Sequence, residues 1–100
     1  MSNAIKIPSF LKLTADAVIV TLTKPTEANG VQVDKLCLRA PTVRDIRAAQ
    51  QTAGGDDEQR EMNLFASLAE VGPKDLEGLT LKDYARVQAG YFRLVQDDEL

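Results

Sequence analysis

The stretch that decides the fold of this chain reads Leu22-Thr23-Lys24-Pro25, then Asn29-Gly30, then Leu36-Cys37-Leu38-Arg39-Ala40-Pro41-Thr42-Val43-Arg44-Asp45. It predicts a β-hairpin that runs directly into a capped helix. Residues 25–30 are the predicted connection. Within it, Asn29-Gly30 is the strongest short-range hairpin signal, because both central residues of a type I′ turn need positive φ. The alternative is a longer loop that closes at Gly30.

Alternating apolar residues predict the two strands of the hairpin. In residues 17–24, the valines at 18 and 20 and the leucine at 22 share one face. In residues 31–39 the apolar positions are odd-numbered as far as Val33 and even-numbered from Leu36. A one-residue slip moves side chains to the opposite face, so we expect a β-bulge near Asp34-Lys35 or a strand that is broken there.

Residues 1–16 precede the hairpin, and their structure is ambiguous. Residues 10–13 can form a short strand, which would give the sheet a third strand at its N-terminal side. Pro8 suits an edge strand better than a central one.

The hairpin is followed by two helices in close succession. The first begins after Thr42, where Asp45 completes a capping-box variant, and it ends at Gly54-Gly55. Asp56 or Asp57 caps the second, which runs to about Val71.

The second helix has two apolar stripes, which lie roughly 150° apart at ~100° per residue. Their members are Met62, Phe65 and Ala69 in one stripe, and Leu64, Leu68 and Val71 in the other. The preferred interpretation is a central helix packed between the hairpin and the third helix. The alternative is that the second stripe forms part of a partner-binding or self-association surface.

A third helix is predicted near the end of the chain. Residues 73–77 make a single helical turn that stops at Gly78, and Thr80 then caps the third helix with Asp83 three residues on. The helical period is kept for four turns by Leu81, Tyr84, Val87, Gln88, Tyr91 and Val95, flanked by Phe92 and Leu94. Opposite this stripe, Lys82, Arg86 and Arg93 form a basic ridge that we interpret as a solvated helix face.

The order of elements predicts one α+β domain over residues 17–96, with helices packed on one face of a small antiparallel sheet. Residues 1–16 form an N-terminal segment, and residues 97–100 form an acidic tail that frays.

Composition favours binding over catalysis. The chain of 100 residues has no histidine, one cysteine and a net charge of −3, so an internal disulfide and a histidine-dependent site are excluded. Asp45, Asp75 and Asp83 lie near helix starts, where dipole interactions explain them. We expect no metal, no cofactor, no membrane span and no nucleic-acid partner.

The order of motifs resembles a known family. A strand, Lys24-Pro25, the Asn29-Gly30 turn, residues 36–45, an apolar helix and residues 79–84 (Leu-Thr-Leu-Lys-Asp-Tyr) are similar to the tail assembly chaperones of contractile-tailed phages, of the Mu-like and E-protein type. The similarity covers roughly residues 17–95. The best-matching positions are Leu38-Arg39, Pro41-Thr42, Asp45 and Asp83-Tyr84.

The resemblance implies a small non-enzymatic protein of the host cytoplasm. Such chaperones coat the long helical tape measure protein, keep it soluble and leave as the tail tube polymerises; many also have a longer form made by frameshifting. A homo-oligomer or such a longer form is therefore an expected partner. The alternative is a structural tail or head-completion subunit that stays in the virion.

The family supplies no catalytic residues. The matching positions at the hairpin–helix junction, Arg39, Pro41, Thr42 and Asp45, are expected to be structural. The candidate partner-binding residues are Leu64, Leu68, Val71, Tyr84, Tyr91, Phe92 and Leu94.

Overall fold

The computed structural model describes residues 7–96, which form a three-stranded antiparallel sheet followed by four helices. The strands are β1 (Leu11–Leu13), β2 (Ala17–Ala28) and β3 (Val31–Arg39), in that spatial order. The helices are α1 (Val43–Thr52), α2 (Asp57–Ala69), α3 (Pro73–Glu77) and α4 (Leu81–Val95). The α+β class is confirmed, and so is the third strand. The expected single turn is α3, and the expected third helix is α4. The predictions for residues 1–6 and for the tail 97–100 lie outside the described residues.

The hairpin turn is shorter than the predicted connection. Ala28 pairs with Val31, so only Asn29 and Gly30 lie between the strands, with φ values of 54° and 80°. These positive angles are those of a type I′ turn. The assignment of all of residues 25–30 to the connection was wrong, because β2 continues through Pro25 as far as Ala28.

The expected irregularity in the hairpin lies opposite Asp34. Thr21 pairs with Lys35 and Thr26 pairs with Val33, so residues 22–25 of β2 lie opposite Asp34 alone. The extra residues therefore belong to β2 rather than to β3. Pro25 lies within this break, where its missing N–H removes no ladder hydrogen bond.

The core lies between one face of the sheet and the helices. From the sheet it contains Leu11, Val18, Val20, Leu22, Leu36 and Leu38, and from the helices Ala49, Leu64, Phe65, Ala66, Leu68, Leu76 and Val87. α4 crosses β2 at Gly90, where a Cβ atom would be only 3.0 Å from Val20 Cγ2 and 3.3 Å from Val18 Cγ1. Glycine at this position lets the helix lie close to the sheet.

The buried face of α4 differs from the predicted stripe. Asp83, Val87 and Gly90 are buried, whereas Leu81 and Val95 are 89% and 47% exposed. The helix therefore has apolar residues on two opposite sides, one towards the sheet and one towards solvent. Its predicted basic ridge is not all solvated, because Arg86 Nη1 donates to the Thr21 carbonyl oxygen (2.9 Å) and its guanidinium lies 4.4 Å from the centre of the Phe10 ring.

Candidate functional site

The predicted junction residues form one network between β3 and α1. Arg39 binds Asp45 through two hydrogen bonds, of 2.8 Å from Nη1 and 2.9 Å from Nη2. The Thr42 N–H donates to Asp45 Oδ2 (2.9 Å), and the Asp45 N–H donates to Thr42 Oγ1 (3.2 Å), which completes the predicted capping box. The hydrogen bonds from Arg39, and then from the Thr42 backbone, hold the pKa of Asp45 well below its ordinary value. Pro41, half-buried, precedes the cap.

A second polar network joins α4 to β2 through Asp83, which is fully buried. Its Oδ1 accepts hydrogen bonds from the N–H (2.8 Å) and hydroxyl (2.9 Å) of Thr23, and its Oδ2 accepts one from the Lys24 N–H (3.2 Å). These donors lie where the β2–β3 register breaks. Burial alone would raise the pKa of Asp83, but the hydrogen bonds from Thr23 and Lys24 and the charge of Arg86 outweigh it and lower the pKa.

The stripe of α2 that was the candidate interface faces the core. Leu64 and Leu68 are 7% and 1% exposed, and Val71 is partly buried against the same cluster. This is the arrangement of the central-helix interpretation, and it leaves little of Leu64 or Leu68 for a partner. The partner-binding role of the seven candidates stays a prediction. Because Leu64 and Leu68 have little exposed surface, the candidates on α4 are better placed to contact a partner.

A groove runs over the helical layer between α4 and α2. One cavity of about 570 Å³ lies among α2, α3 and the start of α4, and another of about 350 Å³ lies among α1, α2 and the middle of α4. Arg60, Glu61 and Gln88 line both cavities, so the two are halves of one groove. We call it the helical groove. From Leu81 to Phe92 it follows α4 for about 16 Å, at ~1.5 Å per residue.

Large apolar side chains border the helical groove. Leu81 is 89% exposed in the first half, and Phe92 (66%) and Ile46 (39%) are exposed in the second. Phe92 is part of an aromatic chain, because its ring centre lies 6.0 Å from that of Tyr91, which lies 5.1 Å from that of buried Phe65. The other aromatic candidate, half-buried Tyr84, lines the first half and lies 5.9 Å from Phe65, centre to centre. Of the remaining α4 candidates, Leu94 packs against the core.

Glu61 provides a polar centre for the groove. The Tyr84 hydroxyl donates to Glu61 Oε2 (3.2 Å), and Gln88 Nε2 donates to the same oxygen (2.9 Å). Burial, and then the negative charge of Glu61, raise the pKa of Tyr84, so its hydroxyl remains a donor across the physiological range. Sequence reasoning missed Glu61, because a glutamate on a helix surface carries no signal until its neighbours are known.

The described part of the chain does not meet the requirements of a metal site or of a membrane-spanning helix, and its Asp75 carboxylate binds backbone at a helix start. Residues 7–96 contain no group of three His, Cys, Asp or Glu side chains placed to hold a metal ion. None of the helices in this range combines the length and the apolar character that a membrane crossing requires. Asp75 accepts hydrogen bonds from the N–H groups of Gly72 (3.1 Å) and Asn29 (3.2 Å), as a residue at a helix start does.

These features define a class: a small α+β domain whose helical layer carries an open, partly apolar groove. The family model of phage tail assembly chaperone proteins, described as E, or 41 or 14, matches residues 19–96. The chain belongs to this family, which confirms the resemblance drawn from its motifs. No curated protein and no solved structure matches the chain.

Proposed function

We propose that this chain is a non-enzymatic chaperone that binds the tape measure protein in the host cytoplasm and keeps it soluble until the tail tube forms. Membership of the tail assembly chaperone family supports an assembly role. The observation that carries the choice of surface is the helical groove, with Leu81, Phe92 and Ile46 exposed along it. An apolar groove of this kind receives the apolar face of an amphipathic helix.

The proposal assigns different roles to the candidate residues. Tyr91 and Phe92 contact the client in the second half of the groove, and Tyr84 contacts it in the first half. Leu64 lines the second half of the groove with little exposed surface, and Leu94 packs against the core. Leu68 of α2 and Val71, just after this helix, lie on the side that faces β3, away from the groove. Many copies bound weakly along one long client would together hold it firmly, because linked sites add through effective concentration.

Coexpression with the tape measure protein of the same phage tests the proposal. We expect that protein to be soluble only when this chain is present, and to copurify with it. Phe92→Asp places a charge in the groove and should abolish copurification. Val31→Asp is the matched control, because Val31 is equally exposed (61%, against 66% for Phe92) but lies at the hairpin turn. Loss of copurification with both variants, or with neither, would contradict the groove as the contact surface.

The composition of mature particles separates this proposal from a structural tail or head-completion subunit. An assembly chaperone leaves when the tail tube forms, so mass spectrometry of purified virions should not detect it. Stoichiometric amounts of the chain in mature particles would instead identify a retained subunit.

A further inference from the structure

Glu61 lies at the midpoint of the helical groove. It lines both halves, and it accepts a hydrogen bond from Gln88 of α4. Along α4, the exposed Leu81 precedes Gln88 and the exposed Phe92 follows it. The carboxylate is partly buried and held by Tyr84 and Gln88. The groove therefore has a fixed anionic centre between an exposed apolar side chain on each side, Leu81 and Phe92.

The charge of this centre is not neutralised within residues 7–96. The ion pairs in that range join Lys35 to Asp34 and Arg39 to Asp45, and the two donors to Glu61 are neutral. Three other carboxylates line the first half of the groove with Glu61, against the single guanidinium of Arg60; they belong to Asp57, Glu58 and Glu77. An occupant of complementary charge is therefore basic where it faces Glu61.

We propose that Glu61 receives a lysine or arginine side chain from the helical client that the groove binds. This inference rests on the proposed function and specifies its partner. The client segment is an amphipathic helix of about three turns, the length over which the groove follows α4. Its apolar face contacts Leu81 at one end and Phe92 at the other, with one basic residue between them.

Overlapping 20-residue peptides that cover the tape measure protein are the probes, and fluorescence polarisation with the full chain measures their affinity. Glu61→Gln keeps the size of the side chain and an oxygen that accepts from Tyr84 and Gln88, but it removes the charge. We expect it to weaken binding of the tightest peptide about tenfold and to reduce the salt dependence of binding. Glu27→Gln is the control: it removes one exposed carboxylate on β2, away from the groove, and should leave the affinity unchanged.

A double-mutant cycle identifies the partner of Glu61. Exchange of the basic residue of the peptide for glutamine should weaken binding to the native chain about tenfold, and should have little further effect with Glu61→Gln.

An unchanged affinity with Glu61→Gln, while Phe92→Ala weakens binding, would overturn this inference and leave the proposed function intact. If neither the peptides nor the full-length tape measure protein bind, both proposals fail. A dimer of this chain that Phe92→Asp dissociates would show that a second copy occupies the groove, which also overturns the inference.

Discussion

At the scale of single residues, Asp83 is the one charged side chain that is fully buried in residues 7–96. A carboxylate removed from water is destabilising unless hydrogen bonds replace its hydration. Both oxygens of Asp83 accept hydrogen bonds, Oδ1 from Thr23 and Oδ2 from Lys24. The same contacts satisfy two backbone N–H groups of β2 in the segment where its register with β3 breaks. Asp83 therefore stabilises β2, by accepting hydrogen bonds from its backbone, as well as the first turn of α4.

Asp83→Asn should destabilise the protein by about 1–3 kcal/mol at neutral pH. An amide has one acceptor oxygen, so its NH₂ group must face the N–H of either Thr23 or Lys24, where two donors oppose each other. Urea unfolding followed by circular dichroism measures the change. Asp16→Asn, an exposed aspartate without a side-chain hydrogen bond in the described part of the chain, is the control and should have no effect.

Acid should reduce this difference between the native chain and Asp83→Asn. The pKa of Asp83 is lower in the folded state than the 3.8 of an unperturbed carboxyl, so its contribution is complete above pH 3.8 and is lost as the pH falls below that value. Asp45, whose pKa is also lowered, keeps part of the pH dependence in both proteins. A difference in stability that stays constant from pH 7 to pH 2 would contradict this account of Asp83.

The two polar networks show which residue contacts a sequence reveals. The capping box of Thr42 and Asp45 was predictable, because its partners lie three residues apart on one helix start. The contact of Asp83 with Thr23 spans 60 residues, so no local pattern reports it. At a helix start a carboxylate is already explained by the cap and the dipole, and the burial that distinguishes Asp83 arises only from packing.

At the scale of elements, α4 is the helix whose two sides serve different purposes. One side packs on β2 through Val87 and Gly90, and the opposite side exposes Leu81 and Phe92. The sequence pattern locates the helix but not its rotation, since apolar residues occur on both sides. Gly90 marks the side that faces the sheet, because a Cβ atom at this position would lie 3.0 Å from Val20 Cγ2, which is closer than ordinary van der Waals contact.

Gly90→Leu should destabilise the protein by about 1–3 kcal/mol, because added volume in a packed core forces neighbouring groups to shift. A Cβ atom at this position already meets Val20 Cγ2 at 3.0 Å, and β2 lies in the middle of the sheet. Thermal unfolding monitored by circular dichroism measures the effect. Ala85→Leu makes a similar addition on the exposed side of the same helix and should be close to neutral. If the two substitutions lowered the stability equally, Gly90 would not lie against β2 as described.

At the scale of the whole molecule, the helical layer is apolar on its inner face and also exposes large apolar side chains on its outer face. The sequence indicated this surplus in the two stripes of α2, but the structure buries the second stripe between the sheet and the other helices. The exposed surplus lies instead on α4 and α1, at Leu81, Phe92 and Ile46. The periodicity of apolar residues identifies the apolar faces of a helix, but it does not show which face a neighbouring element covers. The fold class was therefore predictable from the sequence, whereas the position of the groove was not.

Stability and client binding should therefore depend on different apolar residues. Leu68→Ala removes a side chain that is 1% exposed and should lower the free energy of unfolding by about 2–5 kcal/mol. Phe92→Ala removes a larger side chain that is 66% exposed, and should change stability by less than about 1 kcal/mol while it weakens binding of the tape measure protein. Urea unfolding and copurification, applied to both variants, measure the two properties separately.

A charged residue at position 64 or 68 would be a poor test of binding, because it would unfold the core first. If Phe92→Ala destabilised the protein as much as Leu68→Ala, the aromatic chain from Phe65 to Phe92 would belong to the core, and the groove would lose its main contact residue.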